Sequence, residues 1–140
     1  MPAISSLFLV IALCLAVVIG PQTRPWTWGP AMLALGMSVA AALPEFWKKT
    51  KHLGDLTLLV FALMVTSWFA GRAYFSPVAQ LGEADLMLLA GALGAFISIR
   101  AIEGNKTAER ILLWGIALLL TANVWAIGKQ VIDPAYSPLF

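Results

Sequence analysis

The chain has 140 residues, 61% of them apolar and only 11% charged, with a formal net charge of +2 and a mean hydropathy of +0.88. Soluble domains carry about 25% charged residues, so this composition argues against a water-soluble fold, and so small a net charge gives no footing for nucleic acid. It describes a chain that dissolves in lipid, where ~20 apolar residues cross the hydrocarbon as one helix.

The first predicted span covers residues 4–20 and holds no charge before Gly20-Pro21 stops it. A cleaved signal peptide is the rival reading. It would want a positive charge ahead of the run and a small-residue cleavage site, and neither is present. Ala12, Ala16 and Gly20 recur every fourth residue and offer a face for close helix packing. Cys14 lies mid-run as the single cysteine, which excludes an intrachain disulfide and leaves it as a small apolar filler.

A short polar turn bearing Arg24, Trp26 and Trp28 leads into the second span, residues 28–43, with Pro30 suited to a first helical turn. Pro44 is expected to end it, and Gly36 and Ala40 to form its packing face. Next comes the chain's one dense basic cluster, Lys48-Lys49-Thr50-Lys51-His52, in which His52 reads as a solvated loop residue. The third span covers 53–70. Asp55 in its first turn suits the positive end of the helix dipole, with a buried functional carboxylate as the lesser alternative. Gly71-Arg72 closes it, and a polar connection from Arg72 to Glu83 follows.

The fourth span, 84–100, carries Ala90, Gly91, Gly94 and Ala95, overlapping small residues that predict a central, tightly packed helix. Glu103 to Arg110 reads as a hydrophilic loop. Its Asn105-Lys106-Thr107 fits a glycosylation pattern, which is discounted on a cytoplasmic side. The fifth span is 111–128, where Asn123 is expected to bond to a neighbouring helix and Lys129 to close the end. Each span has roughly 15–18 core residues, or roughly 23–27 Å at helical rise, somewhat under the ~30 Å hydrocarbon core.

Three ammonium groups cannot rest in hydrocarbon, and positive loops favour the cytoplasm. By alternation, Lys48, Lys49, Lys51, Arg100, Lys106 and Arg110 share one side, against Arg24, Arg72 and Lys129 on the other. Six against three predicts an all-α membrane protein, a five-helix transmembrane bundle with its N-terminus inside and its C-terminus outside. The six tryptophans all fall near a span end, where amphipathic rings prefer to sit. Residues 1–140 thus read as a single transmembrane helical module.

Chemistry is sparse. No phosphate-cradling loop, Ser-His-Asp set or metal-ligand spacing is present, and no catalytic residue, cofactor or metal is assigned. The outer connection gathers Arg72, Tyr74, Gln80, Glu83 and Asp85, with Arg24, Lys129 and Asp133 from neighbouring segments. Arg72, Arg24 and Lys129 form a candidate cationic rim for a lipid-carrier diphosphate, guanidinium groups being suited to bidentate phosphate contacts. The plainer reading is that these charges anchor helix ends at the interface.

Gly71-Arg72-Ala73-Tyr74-Phe75-Ser76-Pro77-Val78 followed by Ala84-Asp85-Leu86, together with Ile111-Leu112-Leu113-Trp114-Gly115 leading to Asp133-Pro134-Ala135-Tyr136-Ser137-Pro138-Leu139-Phe140, resembles the N-terminal region of bacterial O-antigen ligases and O-antigen polymerases. The resemblance implies a polytopic inner-membrane enzyme that transfers glycan from undecaprenyl diphosphate, with catalytic basic residues and a histidine in a late periplasmic loop. No such loop is in this sequence, and His52 lies on the predicted inner side. The expectation is therefore the N-terminal membrane module of a longer ligase-like glycosyltransferase, inactive alone, with membrane lipid and an undecaprenyl diphosphate-linked glycan as partners. The alternative is a small non-enzymatic membrane protein that packs with partner subunits. A half-transporter would want broken helices and an inverted repeat, and the prolines cluster at span ends instead.

Overall fold

In a computed structural model that describes residues 1–19, 25–50, 53–75 and 79–133, the apolar runs become five α-helices and no strand. They are α1 (Pro2–Ile19), α2 (Gly29–Lys49), α3 (Leu53–Tyr74), α4 (Ala79–Ile102) and α5 (Lys106–Ile132), with a 3-10 turn over Pro25–Trp28. Four stretches, Gly29–Lys49, Leu56–Tyr74, Asp85–Ile102 and Lys106–Ile132, are long and apolar enough to cross a bilayer. The apolar stretch of α1, Pro2–Val18, is shorter.

Every helix after the first outruns its predicted span. Helices α2 to α5 have 21, 22, 24 and 27 residues, about 32, 33, 36 and 40 Å at 1.5 Å per residue. Pro44 sits inside α2 rather than ending it. A proline has no N–H to offer the carbonyl four residues back, which costs a helix interior about 3 kcal/mol. Packing on both sides of the break offsets that loss, with Ala42 fully buried and Phe46 nearly so. The connection from Arg72 to Glu83 is likewise mostly helix: α3 runs to Tyr74 and α4 starts at Ala79. The hydrophilic stretch before residue 111 forms the first turn of α5, which Asn105 caps by accepting from the Ala108 N–H at 3.0 Å.

The turn between α4 and α5 is tied down from three directions. Gly104 has φ +81, a left-handed conformation that glycine adopts without strain. Its N–H donates to Glu109 Oε1 at 2.7 Å. From α2, Lys49 Nζ donates to the carbonyls of Arg100 at 3.1 Å, Ala101 at 3.2 Å and Glu103. The last carbonyls of a helix lack intrahelical partners and carry the negative end of its dipole, so an ammonium with three protons suits the place. Part of the basic cluster thus belongs to a helix end and joins α2 to α4.

Helices α1, α2 and α4 pack on one another, while α5 docks mainly on α1 and α3 mainly on α4. The core runs through Leu9, Ala12, Ala34, Leu35, Ile102 and Ala108, with a second cluster of Ala42, Phe46 and Ala101. The buried face of α2 is Ala31, Ala34, Leu35, Ser38, Ala42 and Phe46, one stripe at helical spacing. Gly36 and Ala40, predicted to pack, face outward instead. Small residues permit close approach without requiring it, and the neighbouring stripe carries more burial. On α4, Gly94 is packed as expected, its hydrogen pointing at Leu35 and Val39. The flanking helices bury little: within the most apolar 18 residues of each helix, 6% are buried in α3 and none in α5, against 28% and 22% in α2 and α4. In water those faces would be unstable, whereas in lipid they are solvated.

Candidate functional site

The central helices are joined by hydroxyls. Ser5, Ser6, Ser38 and Ser98 are all fully buried. Ser38 Oγ lies 3.1 Å from Ser5 Oγ and 2.9 Å from Ser98 Oγ, and 2.8 Å from the Ser5 carbonyl. A hydroxyl has one proton, so Ser38 donates either to that carbonyl or to Ser98 while Ser5 donates to it. Ser6 Oγ donates to the Ala108 carbonyl at 2.7 Å, tying α1 to α5. These serines have no acid or base beside them among the described residues. Their chemistry is adhesion between helices, since a hydroxyl in hydrocarbon must find an acceptor.

Threonine and asparagine behave differently. Thr66, Thr121 and Asn123 each donate to the carbonyl four residues back, Asn123 Nδ2 to Leu119 at 2.9 Å. The expectation that Asn123 bonds across helices is thereby corrected, because it satisfies itself on its own helix and faces outward.

The sequence-predicted outer residues divide between two places. The last turns of α3 and the early turns of α4 leave an open cleft of about 710 Å³, lined by Phe69, Arg72, Ala73, Phe75, Asp85, Leu88 and Leu89. Positions 69, 72 and 73, and 85, 88 and 89, repeat the i, i+3, i+4 spacing that puts residues on one helix face. Among the described residues of the lining, Arg72 is the one cation and Asp85 the one anion. Both are exposed, and neither side chain makes an ion pair with another described residue. Tyr74 and Phe75 meet edge to face at the rim, 5.4 Å between centroids. A cation in the last turn of α3 is favoured by the helix dipole and can reach up toward headgroups.

Lys129 is not among the residues lining this cleft. It stands 5.9 Å over the Trp125 ring on α5, the helix that docks on α1. Arg24 and His52 lie outside the described residues, as does the Asp55 side chain. Gln80 and Glu83 fall in the first turns of α4. Charges at the other end of the bundle are paired locally, Lys48 with Glu45 at 3.3 Å and Arg100 with Glu103 at 2.5 Å.

Sequence reasoning overlooked the buried serines, the Lys49 cap and Gly115. A Cβ placed on Gly115 would stand 2.5 Å from Val10 Cγ2. Serines in apolar runs were a partial signal: four helices carry at least one, and those of α1, α2 and α4 are buried while Ser67 of α3 is exposed. Among the described residues no group of three His, Cys, Asp or Glu side chains forms a metal site. The chain matches no family model, no curated protein and no solved structure.

Proposed function

We propose that this chain is a structural membrane module that threads the bilayer five times, from a cytoplasmic N-terminus to an outer C-terminus, and presents α3 and α5 to lipid or partner helices. One observation carries this reading: α5 is long and apolar enough to cross a membrane, yet its own chain buries only Ala108 in its first turn and nothing in its most apolar 18 residues. The buried hydroxyls support it, since they hold α1, α2, α4 and α5 together rather than face a substrate. The orientation rests on six basic residues toward the cytoplasm against three outside.

Cysteine labelling in a Cys14→Ser background tests the threading. Thr50→Cys should resist a membrane-impermeant maleimide in intact cells and react after permeabilisation, while Gln130→Cys should react at once. Reaction of both positions in intact cells would end the five-pass reading.

A second reading makes the chain the N-terminal module of an O-antigen ligase-like glycosyltransferase in a bacterial inner membrane. Its candidate contact for a carrier diphosphate is Arg72, an exposed guanidinium that shares its cleft with Asp85. Arg72→Ala should then weaken binding of an undecaprenyl diphosphate probe at least about tenfold, one charge-assisted phosphate contact being worth that much. Lys129→Ala should weaken it less, and equal, negligible losses would retire the reading.

A further inference from the structure

Among its described residues the α3–α4 cleft holds one positive and one negative side chain, Arg72 and Asp85, over an apolar floor, a combination that a simple phosphate site would not use. A carrier diphosphate brings at least two negative charges, and Asp85 would repel what Arg72 attracts. An isolated cation meets the reverse conflict. A ligand carrying both signs a few bonds apart satisfies both. We propose that this cleft binds the headgroup of a zwitterionic aminophospholipid, its phosphate on Arg72 and its primary ammonium on Asp85.

Four further observations point the same way. The cleft volume of about 710 Å³ falls within the roughly 300–1,000 Å³ of small-ligand sites. Phe69, Phe75, Leu88 and Leu89 supply apolar contact for glycerol and the upper acyl chains, and buried Ala73 keeps that floor low. Most of α3 is unburied, so its groove opens to the surrounding lipid rather than to the protein interior. Arg72 sits in the last turn of α3, and Asp85 six residues into α4, about 9 Å along the axis from Ala79. Arg72 thus lies near the end of one stretch apolar enough to cross a bilayer, Leu56–Tyr74, and Asp85 at the start of the next, Asp85–Ile102, so the membrane reading puts both near the headgroups. A guanidinium remains charged at any working pH and grips phosphate through paired N–H groups, while an ammonium donates to the carboxylate. A quaternary ammonium keeps the charge but has no proton to donate, so choline lipids should bind less well than ethanolamine lipids.

The proposal rests on the membrane reading above, and the experiment separates the two. Full-length protein in mild detergent is exposed to an equimolar mixture of phosphatidylethanolamine, phosphatidylcholine and phosphatidylglycerol, and retained lipid is read by native mass spectrometry. Ethanolamine lipid should be retained about tenfold over glycerol lipid, the factor expected from one charge-assisted contact. Asp85→Asn should erase that preference while leaving total lipid retention unchanged. Arg72→Gln should lower retention of all three, with Arg72→Lys recovering part of it. Lys129→Gln, outside the cleft, should change nothing. Equal retention of the three lipids, a preference that survives Asp85→Asn, or displacement of ethanolamine lipid by stoichiometric undecaprenyl diphosphate would each overturn it. The labelling of positions 50 and 130 would stand in all of those cases, so failure here leaves the threading intact.

Discussion

Replacing Gly115 with leucine should detach α5 from α1 and cost about 3 kcal/mol, the upper part of the range for overpacking a close contact. Alanine alone is already too large. Its Cβ would lie 2.5 and 2.6 Å from the two Cγ atoms of Val10 and 3.1 Å from its Cβ. Valine in a helix has one favoured χ1, so it cannot swing aside as a long side chain would. Relief must come from moving α5, which strains the 2.7 Å bond from Ser6 to the Ala108 carbonyl two turns away. Helix propensity works in the other direction, favouring alanine over glycine by about 1 kcal/mol. Gly115→Ala should therefore lose a net 1–2 kcal/mol, roughly, since overpacking costs more than propensity returns. Gly36→Ala provides the control. Nothing lies within 4 Å of its Cβ position, so propensity alone acts and the change should be neutral or mildly stabilising. Denaturant titration in detergent micelles measures both, and Val10→Ala should recover more than half of the Gly115→Ala loss. If Gly115→Ala and Gly36→Ala behave alike, α5 does not dock through this contact.

Ser38→Leu should be the other large effect, at about 3 kcal/mol, because a fully buried serine has no room for a branched side chain. Removing the hydroxyl without adding bulk isolates the polar contribution. Ser38→Ala leaves Ser5 and Ser98 without the oxygen they approach at 3.1 and 2.9 Å. Hydrogen bonds between membrane helices average about 0.6 kcal/mol in double-mutant cycles, so a loss near 1 kcal/mol is expected for two of them. Thr66→Val and Thr121→Val should cost almost nothing by comparison. Their hydroxyls donate to Ala62 and Ala117 on their own helices, and those carbonyls keep their backbone bonds. Equal losses at Ser38→Ala and Thr66→Val would mean that the serine cluster does not join helices.

Lipid solubility was legible because hydrocarbon admits only long uncharged runs, and the positions of charge divided the chain into five of them. Helix ends were legible only to within a turn or more. A charged residue marks where hydrocarbon stops, whereas a helix continues into the headgroup layer for as long as its hydrogen bonds are satisfied. That is why Lys106 to Arg110 became the first turn of α5, and why α2 passed Pro44 to reach Lys49. The shared cleft of Arg72 and Asp85 was half visible. Both residues were placed at one mouth from sequence, but only the packing of α3 on α4 sets them in one cleft, whose lining does not include Lys129.

Composition and spacing alone determined the solvent this chain belongs in and the number and kind of its helices, because both depend on residues within one helical run. Which faces meet was decided by tertiary structure. Gly36 with Ala40 and Ala34 with Ser38 are equally good small-residue pairs on paper, and only the second is buried. The physical reason is that close approach depends on both surfaces at once: Gly115 matters through Val10, more than a hundred residues away, and Ser38 through hydroxyls on two other helices.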